Sequence, residues 1–209
     1  MRRLLGVLLF SLLTACGESQ PAAQPAASTP QASPSAAAAA ACSLSSRTAI
    51  LAMQQPPAMC IDLTKTYRAT VRTSRGSFSL LLDPKSAPVT VNNFVVLAQS
   101  HFYDGLTFHR VVPGFVVQGG DPEGNGTGGP AYKLPAEKAA QDWSRGAVGM
   151  ASSQAGVNGS QFFVLLGDAQ YLKTSGTYNH FGSVDPAGMR VVDTIAIGDR
   201  IDGVDITAT

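Results

Sequence analysis

Charge is scarce in this chain and almost balanced. Fifteen Lys and Arg face 14 Asp and Glu over 209 residues, a formal net charge of +1. Beyond Arg2 and Arg3 there is no basic run, so the footprint that a phosphate backbone demands is missing and no nucleic-acid partner is expected. Histidine is scarce too: His101, His109 and His180 lie far apart without ligand spacing, so no metal site is expected. No Gly-Lys-Ser or Gly-Lys-Thr follows the glycines of residues 119–130, which argues against a phosphate cradle. Ser160 lacks a Gly-x-Ser-x-Gly frame, which argues against a serine hydrolase. Nothing calls for a cofactor. Trp143, the single tryptophan, reads as a packing residue rather than a ligand platform.

Long apolar runs are missing as well. The N-terminal one, residues 4–13, is about ten residues, too short to cross a bilayer core of ~30 Å as a helix. Behind Arg2 and Arg3 it reads as the apolar region of an export signal. Leu13-Thr14-Ala15-Cys16 then looks like a bacterial lipobox, in which Cys16 is lipidated and becomes the first mature residue. An ordinary signal peptide with an incidental cysteine is the alternative. Gly17 follows rather than Asp, so no inner-membrane retention signal is visible. Residues 1–15 are thus expected to be a lipoprotein signal peptide and residues 16–41 the lipidated Cys with an Ala/Pro/Ser-rich tether, which has too little apolar surface to offset its ordering entropy. The expected location is exported, lipid-anchored to a bacterial membrane on its periplasmic or extracytoplasmic face.

With Cys16 assigned to lipid, Cys42 and Cys60 remain. An even pair in an exported chain is most simply a disulfide, here closing a loop of about 17 residues worth roughly 3 kcal/mol in chain entropy. Residues 47–55 have the composition of a short helix, stopped by Pro56 and Pro57. Residues 42–64 form an N-terminal extension, and residues 65–209 the globular domain.

Within that domain Tyr67, Ala69 and Val71 alternate with polar residues, Ser74-Arg75-Gly76 makes a turn, and Phe78, Leu80 and Leu82 alternate again, which predicts a β-hairpin. Pro88 suits a first helical turn, and Val91, Phe94, Val95 and Ala98 fall on one helical face. Residues 119–130 are loop. Residues 147–151 and 162–166 are short apolar runs, and Val184 with residues 191–197 and 201–206 supplies the last strands, with room for one helical turn. Many short strands with one clear helix fit a closed antiparallel barrel or a sandwich.

Residues 106–121 are the most informative stretch. Arg110 lies inside an apolar run, Pro113-Gly114 turns the chain, and Phe115, Val116 and Gln118 lead into the glycines. A guanidinium among Val and Phe is costly unless paired or pointed at something. A cation, a carboxamide and an aromatic ring on neighbouring strands suit the binding of a peptide, whose carbonyls they hold while the ring packs on an apolar side chain. An ordinary core strand with a surface Arg is the alternative.

The stretch from Phe108-His109-Arg110 through Pro113-Gly114-Phe115 to Gln118-Gly119-Gly120-Asp121 resembles a signature of the cyclophilins, the peptidyl-prolyl cis–trans isomerases. Gly149-Met150-Ala151-Ser152 through Gly159-Ser160-Gln161-Phe162-Phe163, and His180-Phe181-Gly182 with Gly188-Met189 beyond it, resemble the family's other blocks at its spacing. The resemblance covers residues 66–209. It implies a mainly β fold, an eight-stranded antiparallel cyclophilin-like barrel capped by two helices, with the second helix near residues 135–141 or just before Gly146. It implies a monomer that acts on proline-containing unfolded or exported polypeptides.

It also implies the site. Arg110, with Phe115 and Gln118, matches catalytic positions. Val116, Ala151, Ser152, Gln161, Phe163, Tyr171, Leu172 and Tyr178 match substrate-binding ones. Val116 stands where Met is common, Ser152 for Asn, Tyr171 for Trp and Tyr178 for His. The expected activity is isomerisation of X–Pro bonds. The rivals are a low-turnover proline-peptide binding module on the same fold and, with less support from length, a solute-binding lipoprotein.

Overall fold

The computed structural model describes residues 46–137, 142–174 and 177–209. Its elements in chain order are a short helix α1 (Arg47–Leu51), strands β1 (Tyr67–Thr73) and β2 (Gly76–Leu82), and helix α2 (Pro88–Gln99). Then come β3 (Phe108–Val112), β4 (Val116–Gly119), the two-residue β5 (Lys133–Leu134), β6 (Ala147–Ser153) and β7 (Gly156–Leu165). A 3-10 turn (Gln170–Lys173), β8 (His180–Val184), helix α3 (Pro186–Val192) and β9 (Ile201–Ala208) complete the chain.

Every pairing is antiparallel, in the spatial order β3-β4-β7-β6-β8-β2-β1-β9, with β5 beside β7. The two end strands meet through a Thr107–Arg200 bridge and backbone bonds such as Ile201 N–H to Leu106 C=O at 2.7 Å. The sheet therefore curls into a barrel, the fold the resemblance implies. Alternation in β1 buries Tyr67, Ala69 and Val71 and leaves Arg68 and Arg72 outside, as a strand with one face on a core requires. α2 caps the barrel, with Phe94 buried among Tyr103, Phe162 and Phe181 at ring separations of 5.1, 5.6 and 5.2 Å.

Among the described residues, no second helix appears where the resemblance suggested one. Residues 135–137 and 142–144 have no regular structure, and residues 138–141 lie outside the described ones. α3 lies instead at Pro186–Val192, where Asp185 Oδ1 accepts from Gly188 N–H at 2.7 Å and Pro186 takes the first helical position. That N-cap decides between the strand and the helical turn expected around residues 191–197: Val191 and Val192 close the helix and residues 193–197 form no strand.

The extension is welded to the domain. α1 stops at Leu51, short of Pro56. Ile50 is fully buried, and Arg47 donates to Phe102 C=O at 2.8 Å and to Asp104 C=O while lying over the Phe102 ring. Asn92 of α2, buried, accepts from Cys60 N–H (2.7 Å) and Ile61 N–H (3.2 Å) and donates to the carbonyls of Pro57 and Ala58. Cys42 lies outside the described residues.

Candidate active site

A register slip aims Arg110. In β3, Phe108 pairs with Gly119 and Arg110 with Gln118, so a bulge at His109 inserts one residue between them. Without it, the two-residue period would put Arg110 on the same face as Phe108, which is fully buried in the barrel core. With it, Phe108 points in and Arg110 points out, onto the exterior of the barrel.

The same register continues across the sheet. Gln118 pairs with Phe163 and Phe163 with Gly149, so Arg110, Gln118, Phe163 and Gly149 form one outward row over β3, β4, β7 and β6. β7 is buried on both faces: Phe162 faces the main core, while Phe163 joins a second cluster with Val116, Trp143, Ala147, Leu165, Ala169 and Leu172. Gly149 makes that cluster possible, since a Cβ there would fall 2.6 Å from Phe163 and 2.7 Å from Trp143. Trp143 is fully buried and stacks on Phe163 at 5.7 Å, with Tyr178 edge-on to both rings. It is the floor under the site.

Above this floor lies a cavity of about 260 Å³ lined by Arg110, Phe115, Val116, Gln118, Ala151, Ser152, Phe163, Leu172 and Tyr178. Nine of the eleven residues matched by resemblance thus line one pocket. Gln161 sits just behind it, and Tyr171 lies on the rim, 55% exposed, with its ring 6.2 Å from Phe115. A neighbouring cavity shares Ser152 and Tyr178.

Polar groups are held in sequence. Gln161 Nε2 donates to Gly128 C=O (2.8 Å), Gln118 Nε2 to Gln161 Oε1 (3.0 Å), and Arg110 Nη1 to Gln118 Oε1 (3.4 Å). The glycine loop thereby orients two amides, and the second orients the guanidinium, which lies 5.5 Å from the Phe115 ring centre. Gly114, at φ +73°, makes the turn that brings Phe115 back beside Arg110. His109, in the bulge, has both ring nitrogens buried without a partner, and burial holds its pKa below the ordinary 6.5, opposed by Asp121 and reinforced by Arg110.

The pocket can seat an apolar ring on Val116, Phe163 and Leu172 and set a permanent cation and a carboxamide against an adjoining peptide unit. No nucleophile is needed for such chemistry.

Residues 68–208 match the family described as cyclophilin type peptidyl-prolyl cis-trans isomerase/CLD. A peptidyl-prolyl cis-trans isomerase of Helicobacter pylori is 44% identical over 146 residues, covering 68% of this chain and 88% of that protein. One from Synechococcus elongatus is 44% identical over 140 residues, covering 66% and 95%. The crystal structure of a cyclophilin type peptidyl-prolyl cis-trans isomerase from Cryptosporidium parvum superposes with a TM-score of 0.62 at 27% identity, over 69% of this chain and 99% of that one. A structure of that protein in the presence of the dipeptide Ala-Pro gives 0.59 at 26% identity, over 68% and 99%.

Proposed function

This chain belongs to the cyclophilin-type peptidyl-prolyl cis–trans isomerases, and we propose that it turns X–Pro bonds at the Arg110 pocket as an exported, membrane-tethered foldase. Its substrates are proline-containing polypeptides. The barrier to be lowered, about 18–20 kcal/mol, comes from amide resonance. In the twisted state the prolyl nitrogen regains its lone pair, so a fixed donor there stabilises that state more than either planar isomer. Arg110 supplies a permanent, planar donor set. Phe115, Val116, Phe163 and Leu172 receive the proline ring, while Gln118, Gln161 and the Ala151-Ser152 edge hold the flanking backbone, with Tyr171 and Tyr178 as walls.

The observation that carries this reading is the outward row Arg110–Gln118–Phe163, which the β3 bulge aligns over an apolar floor. A protease-coupled assay on an X–Pro peptide tests it. Acceleration that disappears on filling the pocket by Val116→Trp is expected. Peptide binding without acceleration would return the low-turnover binding module.

The tether rests on Arg2-Arg3, residues 4–13 and the Leu13-to-Cys16 pattern. Mass spectrometry of the membrane-fraction protein is expected to find lipid on Cys16 and, without reductant, Cys42 linked to Cys60. Unmodified Cys16 in membranes would end the tether reading, and two unlinked thiols would end the disulfide.

A further inference from the structure

Asn179 stands outside the pocket, yet it joins three segments that the pocket depends on. Its side chain is fully buried. Its Oδ1 accepts from Glu137 N–H at 2.9 Å, and its Nδ2 donates to Pro135 C=O and to Thr90 Oγ1, both at 2.8 Å. Glu137 in turn takes the first N–H groups of α2 on its carboxylate, from Val89 (2.8 Å) and Thr90 (2.9 Å), and receives the Thr90 hydroxyl at 2.5 Å. One side chain therefore ties the start of α2, residues 135–137 and the entry to β8 together.

The backbone of Asn179 connects this knot to the site. Its carbonyl accepts from Met150 N–H at 2.9 Å. Met150 precedes Ala151 and Ser152, both in the pocket wall, and Tyr178, also in that wall, precedes Asn179. The ladder is irregular on both sides here: β6 shifts register against β8 between Val148 and Gly149, and against β7 between Met150 and Ser152. Regular pairing does not fix the Ala151 edge, so another tie must.

We propose that Asn179 is a positioning residue for the isomerase site, acting through Met150 and Tyr178 to set the Ala151-Ser152 edge and the Tyr178 wall against Arg110. It touches no substrate. Its role is to hold the far side of the groove at the spacing over which the substrate backbone must reach from Ala151 to the guanidinium. Small displacements at such distances are costly in rate. The proposal rests on the reading of the Arg110 pocket as the isomerase site.

The test uses the full chain in detergent, with kcat and KM for an X–Pro peptide measured below the unfolding midpoint of every variant. Asn179→Ala is expected to reduce kcat/KM about tenfold, mostly by raising KM. Thr90→Val, which removes the hydroxyl that accepts the Nδ2–H hydrogen bond while preserving shape, is expected to reproduce part of this loss. Thr90→Ser, which restores the hydroxyl, is expected to recover it. A lowered midpoint with kcat and KM unchanged in Asn179→Ala and Thr90→Val would reduce Asn179 to a stability role and overturn the proposal. Should Asn179→Ala fail to fold, the Thr90→Val and Thr90→Ser pair decides alone. Arg110→Ala runs beside them: if it leaves activity intact, the reading of the pocket fails, whereas loss of activity in Arg110→Ala with none in the Asn179 and Thr90 variants defeats only the positioning role.

Discussion

Arg110 and Gln118 face each other across β3 and β4, and Arg110 Nη1 donates to Gln118 Oε1 at 3.4 Å. The carboxamide is itself held by Gln161, and Gln161 by the carbonyl of Gly128. This chain of donors ends on the guanidinium, so its orientation is set before any peptide arrives. Such preorganisation is what separates a catalytic cation from a merely nearby one.

Arg110→Ala is accordingly expected to lower kcat/KM by about 10²–10³-fold, the usual loss when a preorganised donor is removed. Arg110→Lys is expected to recover little, because an ammonium on a flexible stem cannot reproduce planar donors held by Gln118. The coupled peptide assay measures both. Full activity of Arg110→Ala with an intact fold would remove Arg110 from the mechanism.

The alternation of β1 and β2, the helix from Pro88 and the Pro113-Gly114 turn were legible in the sequence because each is a local pattern with a local cause. The bulge at His109 was not: one inserted residue leaves no periodic trace, and only the pairing partners of Phe108 and Arg110 reveal it. The site residues came from motif resemblance, while the reason they converge lies in cross-strand register. α3 is legible only as one helical turn among strands: Asp185-Pro186 is a readable helix start, but Val191 and Val192 favour a strand. Asn92 and Asn179 gave no signal, because a polar residue reads as surface until its buried partners are known.

The weld between extension and domain predicts a stability effect far from the pocket. Asn92→Ala orphans the N–H groups of Cys60 and Ile61 and the carbonyls it serves on Pro57 and Ala58. Buried orphans cost about 1–3 kcal/mol each, and partial access to water reduces the sum to about 3 kcal/mol. Urea unfolding of the full chain measures it. A loss below about 0.5 kcal/mol would mean that residues 57–61 lie on the domain without stabilising it.

Acid stability follows from the two half-buried histidines. Burial lowers His109, and lowers His180 despite Asp83 and Asp142 nearby. Each then stays neutral in the folded chain below pH 6.5 while the unfolded chain takes up a proton at its ordinary value. Unfolding thus binds protons, so this stability is complete above the ordinary value and declines as pH falls from it towards the lowered folded values. The urea midpoint is expected to drop between about pH 7.5 and about pH 5, and His109→Gln to flatten part of that slope. An unchanged slope in His109→Gln would show that its buried ring nitrogens are not what acid attacks.

The rim of the pocket predicts the response to an inhibitor. In this family the position that Tyr171 matches contributes to cyclosporin binding, where a Trp indole offers a broad apolar face and an N–H donor. Tyr171 keeps a ring, but it is smaller, more than half exposed, and leans on Phe115 from 6.2 Å. Val116, where relatives often have Met, removes further contact inside the pocket. In the proposed reading, peptide substrates depend on the Arg110, Phe115 and Phe163 side, where Arg110 and Phe163 stand in the outward row. Isomerisation is therefore expected to be efficient while cyclosporin inhibits more weakly than in Trp-bearing relatives. Tyr171→Trp should restore part of the affinity by extending the rim over the drug without touching the floor on Trp143. An inhibition titration of both proteins in the peptide assay decides it, and equally tight inhibition of the unmodified chain would show that Tyr171 already supplies the contact.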